Sequence, residues 1–159
     1  MTLDVDYLFD SIKKGDNEYR IEALLDINPD LANCTGNNGF TPLIYATYMG
    51  NIATTQLLLK YKADIDKRDA MGNTALMGVS FKGSTAIVKL LLDHGASIDA
   101  QNNSGYTALI MAAMYDNSEI VKLLLEHGAD KSIKDNEGNA AFDHAKAKGL
   151  FEIADLVKF

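Results

Sequence analysis

Catalysis or metal binding in this chain would have to start from His94, His127, His144, Cys34 or the nearby carboxylates Asp64 and Asp66. Imidazole, thiolate and carboxylate are the ordinary ligands of a zinc site, which needs three or four of them at short spacings. His94 and His127 each stand directly before a glycine at the end of a leucine-rich run, with no set of partners at ligand spacing. There an imidazolium is favoured by the negative end of a helix dipole, and that is the role expected of both. His144 is expected on the surface. Cys34 has no histidine near it in sequence and is expected to be an inert, small core residue. Asp64 and Asp66 are replaced by Ser97 and Asp99, then by Asp130 and Ser132, at the same places further along the chain. Such variation suits solvated faces better than a general acid–base pair. The chain contains no H-E-x-x-H, no G-x-S-x-G and no phosphate-cradling glycine loop. The expectation is no enzyme: no catalytic residue, no metal and no cofactor.

The elements that position these side chains are those of one folded domain. The chain has 159 residues, 47% of them apolar and 23% charged, which is ordinary for something that folds. Two prolines, long leucine runs and no extended β-branched alternation predict helices, and so an all-α fold. A net charge of -7 repels phosphate backbones and anionic lipid, so neither nucleic acid nor a membrane is expected as partner. A single cysteine rules out an internal disulfide framework and is compatible with a reducing compartment. The acidic start MTLDVDYLFD shows no secretory signal, and no apolar run approaches the roughly 20 residues that span a bilayer. We expect a soluble, cytoplasmic monomer.

The spacing of the turns is regular. Gly39, Gly72, Gly105 and Gly138 are 33 residues apart, as are Leu24, Leu57, Leu90, Leu123 and Leu156. A fixed period of this length marks a solenoid in which each unit leaves an apolar face that its neighbour covers. The triplets Leu57 to Leu59, Leu90 to Leu92 and Leu123 to Leu125 are the expected main burial sites. Asp69, Asn102 and Asp135 each stand three residues before a glycine, which suits a type I turn at a hairpin tip. Thr41, Thr74 and Thr107 follow and are expected to cap a short first helix, with Pro42 in its first position. Gly50, Gly83 and Gly149 are expected to end that helix, and Asn51, Ser84 and Asn117 to cap a second, leucine-bearing one that stops at Gly95 and Gly128.

With "GFTPLIYA", "LLLDHGASIDA" and "LLLEHGADKSI", the chain resembles the ankyrin repeat, whose pattern includes T-P-L-H-x-A at a period of 33. The resemblance implies a solenoid of helix-turn-helix units joined by β-hairpin or turn connectors. Its expected divisions are an N-terminal capping repeat at 1–35, repeats at 36–68, 69–101 and 102–134, and a C-terminal capping repeat at 135–159. Lys13, Lys14, Glu18, Arg20 and Glu22 at one end, and Lys146, Lys148 and Lys158 at the other, fit polar caps and the expectation of a complete array.

Several residues depart from the pattern. The family histidine is replaced by Ile44, Met77, Ile110 and Asp143, so its hydrogen bonds to neighbouring turns are lost and with them some stiffness. Lys62 takes the place of Gly95 and Gly128, at a cost of about 1 kcal/mol in a left-handed conformation, and an irregular helix end is expected there. Ala140 replaces a capping threonine at a cost of about 1 kcal/mol, so the last unit should fray first. Gly78 and Val79 stand where the neighbouring repeats have Tyr45 and Ala46, or Met111 and Ala112. The ring of Tyr45 is expected over the space that Gly78 leaves, for a reason of packing or of binding.

The resemblance further implies that ligands are held by the tips and the exposed ends of the first helices, which line the concave side. Mapped onto this sequence, the tip positions are Asn37, Asn38 and Phe40, then Ala70, Met71 and Asn73, then Asn103, Ser104 and Tyr106. The helix-end positions are Tyr48 and Met49, Phe81 and Lys82, Met114 and Tyr115. This set is rich in aromatics and methionine, the residues enriched at interface cores. Tyr48, Phe81 and Met114, with Tyr115 beside the last, are expected to form a continuous binding stripe. Phe40 and Tyr106 suit packing against neighbouring repeats as well as binding. The expected partner is another protein, apolar at its centre and basic at its rim.

Overall fold

The computed structural model describes residues 2–15, 18–37 and 39–158, and every regular element among them is helical. α1 (Thr2–Lys14) and α2 (Glu18–Ile27) lead through a 3-10 turn at Pro29–Asn33 into four helix pairs. These are α3 (Pro42–Tyr48) with α4 (Ile52–Lys60), and α5 (Ala75–Lys82) with α6 (Thr85–Asp93). Then come α7 (Ala108–Met114) with α8 (Ser118–Glu126), and α9 (Ala141–Ala147) with α10 (Phe151–Val157). The odd-numbered helices pack side by side in chain order, and the even-numbered ones form a second row behind them.

Local chemistry starts each first helix. The hydroxyl oxygens of Thr41, Thr74 and Thr107 accept the backbone N–H three residues on, at 3.1, 3.4 and 3.2 Å. Each bond satisfies one of the donors a helix start leaves open. The second helices start less uniformly. Asn51 caps α4 by accepting from the N–H of Thr54 at 3.0 Å, but Ser84 and Asn117 make no side-chain cap, contrary to expectation. Asn117 turns its amide back across the stack and donates to the carbonyls of Ser80 and Phe81 at 2.8 and 3.0 Å. It ties two helix pairs together instead of capping its own helix.

The core repeats with the sequence. Leu25, Leu58, Leu91 and Leu124 have 0% exposure, and the flanking leucines of each triplet are half-buried. Only the middle leucine is therefore a full burial site, because the other two lie on the shoulders of the helix. Ala46, Val79, Ala112 and Ala145, all buried, sit along the first row. Small side chains there let neighbouring helices approach closely. At the first helix pair the polar decoration is incomplete, with Leu3, Tyr19 and Ile27 largely exposed.

The connectors are turns. At the tip 69–73, the N–H of Gly72 donates to the carbonyl of Asp69 and the N–H of Asp69 to the carbonyl of Asn73, both at 3.0 Å. The Asp69 carboxylate accepts from the N–H groups of Met71 and Asn73 at 2.9 and 2.8 Å. Asn102 and Asp135 repeat that arrangement. Such tips are too short for a ladder, so the expected β-hairpin connectors hold no strand among the described residues. Gly72 is needed here for a second reason besides its left-handed backbone. A Cβ on it would lie 2.9 Å from the backbone nitrogen of Asn103, whose N–H donates to the carbonyl of Met71 in the tip before.

Turn-to-turn bonding survives the loss of the family histidine because other residues supply it. Arg68 reaches the carbonyls of Gly72 and Gln101, and Gln101 reaches those of Gly105 and Lys134 at 2.8 and 3.0 Å. The connector carboxylates take part as well. Asp66 accepts from the N–H of Ser97 at 2.9 Å, and Asp99 from that of Asp130 at 2.9 Å. These residues link successive units, where solvated faces were expected. Lys62 does adopt a left-handed conformation, with φ 61°. Yet the bonds from Lys62 to Leu59 and from Ala63 to Leu58 match those at Gly95 and Gly128, so the expected irregularity is absent.

The last helix pair has its own device. Asp143, in the histidine position, accepts from the N–H of Ala140 at 2.9 Å and ties the start of α9 without a threonine. His144 is partly buried, 2.6 Å from the buried carboxylate of Asp135 and edge-on to the ring of Tyr106, not on the surface as expected. Burial alone would push the Asp135 carboxyl up. Donation from Asn139, His144 and Glu137 outweighs it and holds the carboxyl below the usual range. A depressed folded-state pKa stabilises above the unfolded value and is lost as pH falls through the folded one. The urea midpoint of the protein should therefore exceed that of Asp135→Asn at neutral pH. The gap should close as pH is lowered below about 4, the ordinary carboxylate range.

Candidate functional site

The face formed by the turn tips and the last turns of the first helices gathers a group of aromatic and methionine side chains. Three rings and two ammonium groups define it. Tyr48 ends α3 and lies under the ammonium of Lys82, whose Nζ is 4.8 Å from the ring centroid. Phe81, next to Lys82 in α5, meets Tyr115 edge-on with centroids 4.4 Å apart. Lys148 then covers Tyr115 at 4.8 Å and donates to the carbonyl of Met114 at 2.8 Å. Each cation over a ring gains about 0.5–1 kcal/mol at an exposed site, and the edge-on pair is a favoured quadrupole arrangement. The rings are thus held in place before anything binds.

The structure separates the sequence-derived positions into groups. Tyr48, Met49, Met71 and Tyr115 are exposed by 40%, 44%, 68% and 46%, far more than large apolar side chains in a core. Lys82 is exposed too, and Phe81 is half-buried between Tyr115 and a pocket. Met114 is half-buried against the core, so the run of contacts passes through Tyr115. Tyr106 packs on the core and against His144, and Phe40 stacks on Tyr45 with centroids 6.4 Å apart. Asn38 lies outside the described residues. Asn37 donates to the Asp6 carboxylate at 3.2 Å, and Asn73 and Asn103 are engaged in tip hydrogen bonds.

A pocket of about 160 Å³ opens on this face. Its walls come from Ile44, Tyr45 and Tyr48 of α3, Gly78 and Phe81 of α5, and Met111 of α7. Phe40, Met71 and, at the edge of the tip, Asp69 and Asn73 complete it. Tyr45 borders the space at Gly78, as the sequence suggested, but does not fill it. Its ring packs on Phe9 at 5.5 Å and on Phe40, and a Cβ built on Gly78 would meet nothing within 4 Å. The space left by Gly78 is therefore part of the pocket. Sequence reasoning found the glycine but missed the pocket, because its walls come from three helices and two tips spread over residues 40–111.

Groups that could do chemistry are placed otherwise. His94 and His127 stand at the ends of α6 and α8, each with Nδ1 2.8 Å from a carbonyl of the last turn, to which it donates. The Cys34 thiol is pushed up by burial, partly offset by Lys67, so it holds little thiolate. Tyr61 donates to the carboxylate of Asp26, which with burial pushes its phenol up to about 12. Among the described residues no three His, Cys, Asp or Glu side chains converge as metal ligands would. No helix among them is long and apolar enough to cross a membrane.

Comparison with known proteins agrees with this geometry. The sequence profile of the family described as ankyrin repeats (3 copies) matches residues 7–69 and 66–135. Over 70 residues, 43% of its length, the chain is 37% identical to the mouse ankyrin repeat and SAM domain-containing protein 6. It is 36% identical over the same share to that protein from Rattus norvegicus. In each case the matched part is 8% of the relative's own length.

Gly78 offers a test of this site. A glycine in mid-helix costs about 0.5–1 kcal/mol relative to alanine. Since an added Cβ has room, Gly78→Ala should raise the urea unfolding free energy by about that amount. A destabilised variant would mean that the helix itself requires the glycine.

Proposed function

The chain belongs to the ankyrin-repeat family, and we propose that it is a non-enzymatic interaction module that holds a partner protein on its concave face. The observation behind this reading is the run of contacts Tyr48, Lys82, Phe81, Tyr115 and Lys148, which spans four helix pairs and leaves its rings partly exposed. Ankyrin repeats generally serve as protein-interaction modules. Apolar surface that is contiguous and preordered is characteristic of binding sites, where a few aromatic anchors dominate the energy.

The chemistry of the partner follows from the face. Tyr48, Met49, Met71, Phe81 and Tyr115 suit an apolar centre, and methionine adapts to irregular shapes. Lys82 and Lys148 would meet carbonyls or isolated carboxylates close to that centre. The net charge of -7 favours a basic rim farther out. Adaptor, regulator and inhibitor are all roles that such a face can serve.

The test is affinity capture from lysate of the source organism, using the protein and a Tyr48→Ala, Phe81→Ala, Tyr115→Ala variant whose helicity is unchanged by circular dichroism. A protein retained by the first should be lost, with affinity reduced at least about tenfold, from the second. Equal retention by both would place binding on another face. Retention by neither, together with a mass that grows with concentration in light scattering, would favour self-association.

A further inference from the structure

We propose that the pocket beside Gly78 is a specificity pocket that takes one bulky apolar side chain, such as leucine, methionine or phenylalanine, from the partner protein. This rests on the interaction reading above and names what the partner must present. Glycine stands in the middle of α5, at a position occupied by Tyr45 and Met111 in the adjoining helix pairs. No left-handed backbone requires it, and a Cβ there would touch nothing within 4 Å, so the fold gains nothing from its absence. What the missing side chain leaves is open space walled by Ile44, Tyr48, Phe81 and Met111.

Size and charge select the occupant. At about 160 Å³ the pocket is well below the roughly 300–1,000 Å³ of sites that enclose a cofactor or drug-sized ligand. An apolar cavity of about 150 Å³ holds benzene, so one ring or branched aliphatic group matches the volume. Burying such a group is favourable, and a rigid chain beyond it can run along the turn tips. A second cleft adjoins at Tyr45 and is lined by Asp6, Asp10 and Lys13. Asp10 is paired with Lys14 at 2.5 Å, and Asp6 accepts from the amide of Asn37. With Lys13 beside the two carboxylates the cleft is mixed in charge, and it gives the pocket a polar rim. A second copy of this chain fits poorly, since it would bring the same recessed face and another -7 charge.

The experiment selects twelve-residue peptides from a random display library on the intact protein, and then measures the affinity of the selected sequences. Each should contain one bulky apolar residue whose replacement by alanine weakens binding at least about tenfold. Gly78→Leu, which fills the pocket, should weaken binding as much while keeping its urea midpoint at or above that of the parent. Binding should also shift the 13C methyl signal of Met111. This last readout needs no variant to fold. Peptides weakened by Tyr115→Ala but indifferent to Gly78→Leu would overturn the pocket and leave the concave-face reading standing. Peptides indifferent to both would sink the two together. The pocket is likewise not an anchor site if no peptide is selected, or if the Met111 shift appears with protein concentration alone.

Discussion

No helix pair of this protein can bury its own apolar surface. A pair of seven- to nine-residue helices, such as α3 with α4, is too short to be stable in water, and one side of each leucine-bearing helix faces outward from its partner. Stacking is the remedy. Leu58, Leu91 and Leu124 reach 0% exposure only because the neighbouring pairs close over them, and the buried alanines of the first row let that happen at short distance. Every other feature of the molecule is arranged around keeping successive pairs in register.

The register is kept mainly by hydrogen bonds at the tips and connectors. Arg68 and Gln101 reach forward to the carbonyl of the following turn, Asn103 and Asn136 hold the preceding one, and Asp66 and Asp99 bind the next connector. Bonds of this kind contribute about 0.5–1.5 kcal/mol each, and they are directional where leucine packing is not. The residues of the family pattern differ here, but the requirement is still met, because any donor of suitable reach satisfies an open carbonyl. The same rigidity would serve the proposed binding. Tyr48, Phe81 and Tyr115 stand on helix ends that the stack holds at fixed spacing, so little conformational entropy remains to be lost on association.

Much of the fold was legible in the residues themselves. The caps of Thr41, Thr74 and Thr107, the left-handed Lys62 and the central leucines obey local rules that need only a few neighbours in sequence. The errors have a shared origin. Asn117 satisfies the criteria for a helix cap but its amide donates to carbonyls of the preceding pair instead, and His144 looks solitary until Asp135 and Tyr106 fold around it. Asp66 looks solvated until Ser97, in the next connector, is brought beside it. In each case a long-range partner competes with the local one, and sequence distance hides it.

By itself, then, the sequence determined the period, the helical class, the threonine caps of the first helices and the aromatic character of the positions one repeat apart, because each depends on residue type at a fixed spacing. Tertiary structure alone decided that Tyr45 turns towards Phe9 and Phe40, that Phe81 meets Tyr115, and that the space at Gly78 stays open between them. A pocket is a volume that side chains fail to fill, and which rotamers fill it is settled only when three helices are set side by side.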